Sequence, residues 1–190
     1  MNIYSRLTEE EKRIYNSYKN DDLSFKLNEQ LRFGDIINYM DEVKLLDSII
    51  DKSEFNNDCL LFRATVERDV IPFINEGIYV NPEYLSTSTK ASGIKSFFNE
   101  SIGAVFLMIY CSKGIKFTDL EANEENSKGE HEILLGRQNE FKVYEDSYIT
   151  DKKVIKEIAG WKGHDIDKIR KIVISTYDYK FGKSPLISFP

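Results

Sequence analysis

The sequence predicts an α+β fold, with a helical lead-in over residues 1–57 and a mainly β core over residues 58–190. Three observations predict it. Apolar residues recur at helical spacing through the first third of the chain. At Cys59 the pattern changes to short runs of strand formers. Residues 104–111, AVFLMIYC, are apolar without a break, as expected of a central strand covered on both faces. The 190 residues carry no internal repeat or low-complexity stretch and fit a single domain.

Taken in order, Thr8 followed by Glu9, Glu10 and Glu11 fits a capping box, with Thr8 as N-cap and Glu11 three residues on. Ile14, Tyr15 and Tyr18 then mark one face of a first helix. Asp21, Asp22 or Ser24 starts a second, in which Leu23, Leu27 and Leu31 recur every fourth residue and Gly34 is the stop. A third helical stripe runs through Ile36, Met40, Val43, Leu46 and Ile50. Beyond it, CLLFRAT (59–65) reads as a strand. Arg63 inside that strand needs a carboxylate or phosphate partner, unless the strand is an edge and the guanidinium faces water.

YLSTST (84–89) follows a turn around Glu76-Gly77, and puts Ser86 and Ser88 on one strand face with Leu85 and Thr87 on the other. Hydroxyls on that face can hold a neighbouring carboxylate; a polar edge strand is the alternative. Residues 90–98 read as a short helix with Ile94, Phe97 and Phe98 on its buried side. After the 104–111 strand another begins at Ile115–Phe117. A polar loop, 118–129, then carries Asp119, Glu121, Glu124 and Glu125, and loops of that length are often functional or mobile. Strands are expected at the apolar run after Glu132 and around Phe141 and Val143, with 154–158 and 171–179 as further candidates.

Composition bounds the function. Hydrophobic residues at 41% and aromatics at 13% supply a sizeable core. Runs of about 18 apolar residues are missing, so no membrane span is expected, and the first fifteen residues lack the layout of a secretory signal. Cys59 and Cys111 lie in apolar runs and are expected to be small buried hydrophobes, which fits a cytoplasm, that of the producing cell or of a target cell. A net charge of −6 disfavours generic binding to nucleic acid. With only His131 and His164 in the chain, and Glu-His-Glu unable to place three ligands on one strand face, no metal is expected. No nucleophile-elbow sequence supports a Ser/His/Asp hydrolase.

The stretch that looks made for chemistry is GEHEILLGRQNEF (129–141). On a strand, Glu130 and Glu132 project to the same side, roughly 6.5–7 Å apart along the chain, with His131 pointing away. Paired carboxylates hinder each other's ionisation, so the arrangement suits a site that stabilises or accepts positive charge. A solvated acidic loop leading into an ordinary strand is the other reading.

Arg63, then Ser86-Thr87-Ser88, then Glu130-His131-Glu132 resemble, in order and context, the R–S–E class of mono-ADP-ribosyltransferases. The lead-in with Tyr18 and KLNEQLR (26–32), and EILLGRQNEFKV (132–143), are similar to the corresponding stretches of exoenzyme- and binary-toxin-like members. The resemblance covers roughly residues 8–150.

It implies an NAD cleft between two packed, mostly antiparallel sheets, with NAD as substrate. Arg63 would hold the NAD phosphates or the nicotinamide ribose, Ser86 would orient Glu132, and Thr87 and Ser88 complete the motif. Glu132 would stabilise an oxocarbenium-like transition state as nicotinamide leaves. Glu130 resembles the extra carboxylate of arginine-modifying members, and would position the guanidinium of a target protein and help take its proton. Phe97 or Phe98 would stack on nicotinamide, and Lys90 and Lys95 are candidate pyrophosphate contacts. NAD glycohydrolysis and an inactive NAD-fold binding module are the alternatives, and small phage-encoded transferases and delivered toxin effectors both resemble the chain. Two departures stand out: Ala64 where many members have Gly, and no aromatic in the loop before Glu130.

Overall fold

The computed structural model describes residues 2–34, 36–98 and 103–176. The first helix, α1 (Glu9–Asn20), begins at the expected capping box: Thr8 accepts from the Glu11 N–H, and the Glu11 carboxylate accepts from the Thr8 N–H. Its buried face is Ile14, Tyr15 and Tyr18. Helix α2 (Leu23–Phe33) ends at Gly34 as read, and α3 (Met40–Asp51) buries Val43, Leu46, Ile49 and Ile50. Ile36 is a correction to the third stripe: it sits in a separate 3-10 turn, Ile36–Tyr39, and Met40, the first residue of α3, is exposed.

The β core consists of β1 (Cys59–Val66), β2 (Ile74–Asn75), β3 (Ile78–Val80), β4 (Leu85–Ser88), β5 (Ala104–Cys111), β6 (Phe117–Asp119), β7 (Glu132–Leu135), β8 (Glu140–Ile149) and β9 (Ile169–Ser175). A four-residue helix, α4 (Glu67–Val70), follows β1. Among the described residues these strands form one mixed sheet in the order β2-β3-β8-β9-β5-β1-β4-β7-β6. The two expected sheets are the two parts of it. They meet where β1 pairs with β4 through Phe62 and Ser88, and β5 and β9 form a parallel pair in an otherwise antiparallel arrangement.

Alternation along β5 explains why its sequence is unbroken. Val105, Leu107, Ile109 and Cys111 enter one core cluster with Leu61, Leu85, Ile133 and Phe141; Ala104, Phe106, Met108 and Tyr110 enter another. A third cluster packs α1–α3 against Tyr84, Leu120 and Leu134, which fixes the helices to the β4 and β7 side of the sheet.

Two elements differ from the sequence reading. Residues 154–158 belong to a helix, α5 (Lys152–Ala159), capped by the Asp151 side chain on the Lys153 N–H. Ile155, Ile158 and Ala159 are buried on one face of it, a spacing of three and four that decides helix over strand. Residues 90–98 form a 3-10 helix, Ala91–Phe97. Ile94 and Phe98 are buried there as expected, but Phe97 is 55% exposed. Of the candidate strand 171–179, β9 covers the first part, and residues 177–179 lie outside the described residues.

Candidate active site

A cleft of about 540 Å³ opens between α1, α2 and the β1–β4–β7 part of the sheet. Arg63, Ser86, Thr87 and Ser88 line it, as do Phe97, Glu130 and Glu132. Distant parts of the chain therefore converge on one hollow. Phe98 does not reach it; its ring is fully buried among Phe106 and its neighbours. Lys90 and Lys95 are not in the lining either, and the cations that are include Lys19, Arg32, Arg68 and Lys128.

Arg63 stands on a central strand between β4 and β5, so the edge-strand reading does not hold. Its guanidinium donates to the Ser86 carbonyl at 2.9 Å and to Glu83 Oε1 at 3.1 Å. The other Glu83 oxygen lies 2.6 Å from Arg32 of α2, and Asp69 lies 3.3 Å from the same nitrogen. Glu83 is thus the carboxylate partner that a buried Arg63 requires, and it aligns two guanidiniums along one wall. Burial pushes the Glu83 carboxyl up, against the pull of Arg63 and Arg32.

The helices are placed on this wall by Asn28. Its amide donates to the Tyr18 hydroxyl and to the Tyr84 carbonyl, and accepts from the Tyr84 N–H. That clamp brings Lys19 and Arg32 to the cleft from elements far away in sequence. Ser86 stands beside the Tyr18 hydroxyl and pairs in register with Leu134; Ser88 is the residue opposite Glu132. Thr87 donates to the Ile133 carbonyl.

Glu130 is held from three directions. The Glu121 carboxylate accepts the N–H groups of Glu130 and His131, at 2.8 and 3.0 Å. The Ser88 hydroxyl donates to the Glu130 carbonyl at 2.6 Å. Gly93 packs so closely that a Cβ there would lie 2.4 Å from the same carbonyl. The chain passes through positive φ at Gly129 and at His131, a conformation that costs a non-glycine residue about 1 kcal/mol or more. Strand geometry therefore begins only at Glu132, two residues later than the sequence spacing assumes.

The two carboxylates converge all the same. Lys19 Nζ, at the end of α1, donates to Glu130 Oε2 at 2.8 Å and also to Glu132 Oε2. Burial works to lower the Lys19 pKa, but the bonds to Glu130 and Glu132 outweigh it, and the ammonium is held above its ordinary range. Sequence reasoning missed Lys19, Arg32 and Glu121 as site residues. Lys19 gives no signal in its own stretch, since a lysine in the last turn of a helix is ordinary.

Among the described residues, no group of three or more His, Cys, Asp or Glu side chains is placed to hold a metal, and no helix is long and apolar enough to cross a membrane. The chain folds as ADP-ribosylating toxins do. Plx2a from Paenibacillus larvae superposes with a TM-score of 0.65 at 18% identity, over 91% of this chain and 88% of that one. Exoenzyme S from Pseudomonas aeruginosa, solved with human 14-3-3 protein beta and carba-NAD, gives 0.67 at 16% identity, over 95% and 80%. The Vis toxin from Vibrio splendidus, solved in complex with agmatine, gives 0.63 at 18%, over 91% and 76%. No curated protein sequence matches the chain.

Fold and family model together define an NAD-dependent ADP-ribosyltransferase. The chain belongs to the ADP-ribosyltransferase exoenzyme family, whose model matches residues 1–180. NAD is its substrate.

Proposed function

We propose that the protein transfers ADP-ribose from NAD to an arginine of a target protein. The observation that carries this reading is the seat of Lys19: the site already holds a cationic nitrogen between Glu130 and Glu132. A guanidinium presented there would meet the Glu130 carboxylate with its planar fork, the geometry in which arginine binds best. That the Vis toxin was solved with agmatine, a guanidine, is in keeping with this.

The residues at hand fit the donor. Arg32 Nε is buried in the cleft without a hydrogen-bond partner, and together with Arg63 it offers paired guanidiniums to a pyrophosphate. Phe97 presents an exposed ring on the cleft wall for a flat base or nicotinamide to stack on. When bound, NAD supplies the ADP-ribosyl group, and the bond between its ribose and nicotinamide is the one that breaks. Glu132 then stabilises the positive charge that grows on the ribose as nicotinamide departs. Glu130 aims an acceptor nitrogen at that carbon and takes its proton as the new bond forms. Ser86 supports the Glu132 side of the cleft through its place on β4 next to β7, and Ser88 supports Glu130 through its carbonyl.

We take residues 1–190 as one catalytic unit, acting on a host or target cytoplasm as a toxin or phage effector. Cys59 and Cys111 stand opposite each other on β1 and β5 as free thiols, which fits a reducing compartment. The experiment that tests the reaction is incubation with labelled NAD and a cell extract, followed by mass spectrometry of the labelled residue. Label on arginine is expected. Label on asparagine or cysteine overturns the acceptor, and fast nicotinamide release without labelled protein points to hydrolysis.

A further inference from the structure

Lys19 is the feature that the reaction as described leaves without a role. Its side chain is almost wholly buried, yet it sits on the cleft wall and contacts both carboxylates assigned to the chemistry. A third, Glu121, lies 4.0 Å away. An ammonium so placed neutralises Glu132, whose charge has to stabilise a growing cation, and it fills the place at Glu130 that an acceptor needs. A lysine that merely supported the fold would not have to meet both.

We infer that Lys19 is a charge latch: it holds Glu130 and Glu132 paired and restrains nicotinamide release until a guanidinium displaces it. The inference rests on the arginine reading above. Displacement is chemically reasonable because a guanidinium makes two parallel bonds to a single carboxylate, here Glu130, and so leaves Glu132 free, whereas an ammonium is a compact point charge on a flexible stem. Lys19 also has somewhere to go. It lies in the last turn of α1, whose free carbonyls favour a cation, and Asp21 and Asp22 stand next along the cleft rim. While the latch is closed, only the open fraction of molecules can bind acceptor, so apparent affinity falls by that fraction. Water as an acceptor, unlike a guanidinium, brings no charge to open it. The device would therefore couple NAD cleavage to the arrival of the right target.

The test measures nicotinamide release and agmatine modification by the full chain and its Lys19→Met variant, which keeps the length of the stem and removes the charge. Acceptor-free nicotinamide release is expected to rise severalfold. The agmatine concentration for half-maximal transfer is expected to fall about tenfold, the change expected if roughly one molecule in ten is open. Unchanged values in both assays overturn the latch, as does a parallel loss of both in a folded variant, which would make Lys19 a support for the carboxylates.

Should Lys19→Met unfold, Lys19→Ala with added methylammonium replaces it. Methylammonium is then expected to slow release and compete with agmatine, and indifference to it overturns the proposal. If neither wild type nor variant modifies agmatine, the arginine reading is what has failed. The latch is then decided on nicotinamide release alone.

Discussion

Glu121 accepts the backbone N–H of Glu130 at 2.8 Å, so an acid in the long polar loop fixes the residue proposed to receive the acceptor. Burial works to raise the pKa of Glu121, but the N–H groups of Glu130, His131 and Lys128 and the charge of Lys19 prevail, and its carboxyl is held below the usual range. Glu121→Ala is expected to lower transfer to an acceptor by up to about 100-fold, the scale of a 1 Å misplacement of a reacting group. Acceptor-free nicotinamide release should fall much less, because Glu132 is anchored separately in β7. Equal losses in the two assays would show that Glu121 supports the whole site and not Glu130 in particular.

Glu130 and Glu132 are expected to separate by function. Glu132→Gln removes the charge proposed to stabilise the ribose cation and should lower all nicotinamide release by about 100- to 1000-fold. Glu130→Gln should leave hydrolysis near the wild-type level and abolish transfer to agmatine or protein arginine. Normal transfer by Glu130→Gln would remove it from the acceptor role.

Adjacent phenylalanines should behave oppositely. Phe97 is exposed on the cleft wall and Phe98 is fully buried. Phe97→Ala is expected to raise the KM for NAD with thermal unfolding nearly unchanged. Phe98→Ala opens a core cavity and should destabilise by about 3–5 kcal/mol, read from denaturant unfolding. A lowered melting temperature for Phe97→Ala with unchanged KM would place that ring in the core's service instead.

Acid should weaken the anchoring of α1 at its N-terminus. Burial works to raise the pKa of Glu11, but the bonds from Lys52, Thr8 and Ser48 outweigh it and hold the carboxyl at about 2. A carboxyl depressed in the folded state contributes its stability above the unfolded pKa of about 4.3, and loses it as pH falls toward 2. The contribution at neutral pH is on the order of 3 kcal/mol. Glu11→Gln is expected to unfold more easily at pH 7 and to lose little further stability between about pH 4.3 and 2. A variant whose stability falls with pH in that window as the wild type's does would show that other carboxylates govern it.

Much of the framework was legible in the residues alone. The Thr8 capping box, the Gly34 stop, the apolar run of β5, the Arg and Ser-Thr-Ser strands and the strand that opens at Glu132 are local signals, since cap chemistry and side-chain periodicity act over a few residues. Residues 154–158 misled because a short apolar run fits strand and helix alike. What tipped it was the Asp151 cap and a buried face at i, i+3 and i+4. Phe97 and Phe98 could not be told apart, because their directions depend on how a 3-10 turn meets the sheet.

By itself, then, the sequence determined which side chains were candidates for the chemistry and in what order the chain would carry them. Only the tertiary structure decided what stands between them. It put Lys19 of α1 against Glu130 and Glu132, more than a hundred residues on, and joined Arg32 to Arg63 through the buried Glu83. Those contacts come from Asn28 docking the helices on Tyr84, and from α1–α3 burying their apolar faces against β4 and β7. Buried charges require partners wherever the chain brings them, and no local pattern states where a helix end will meet a strand.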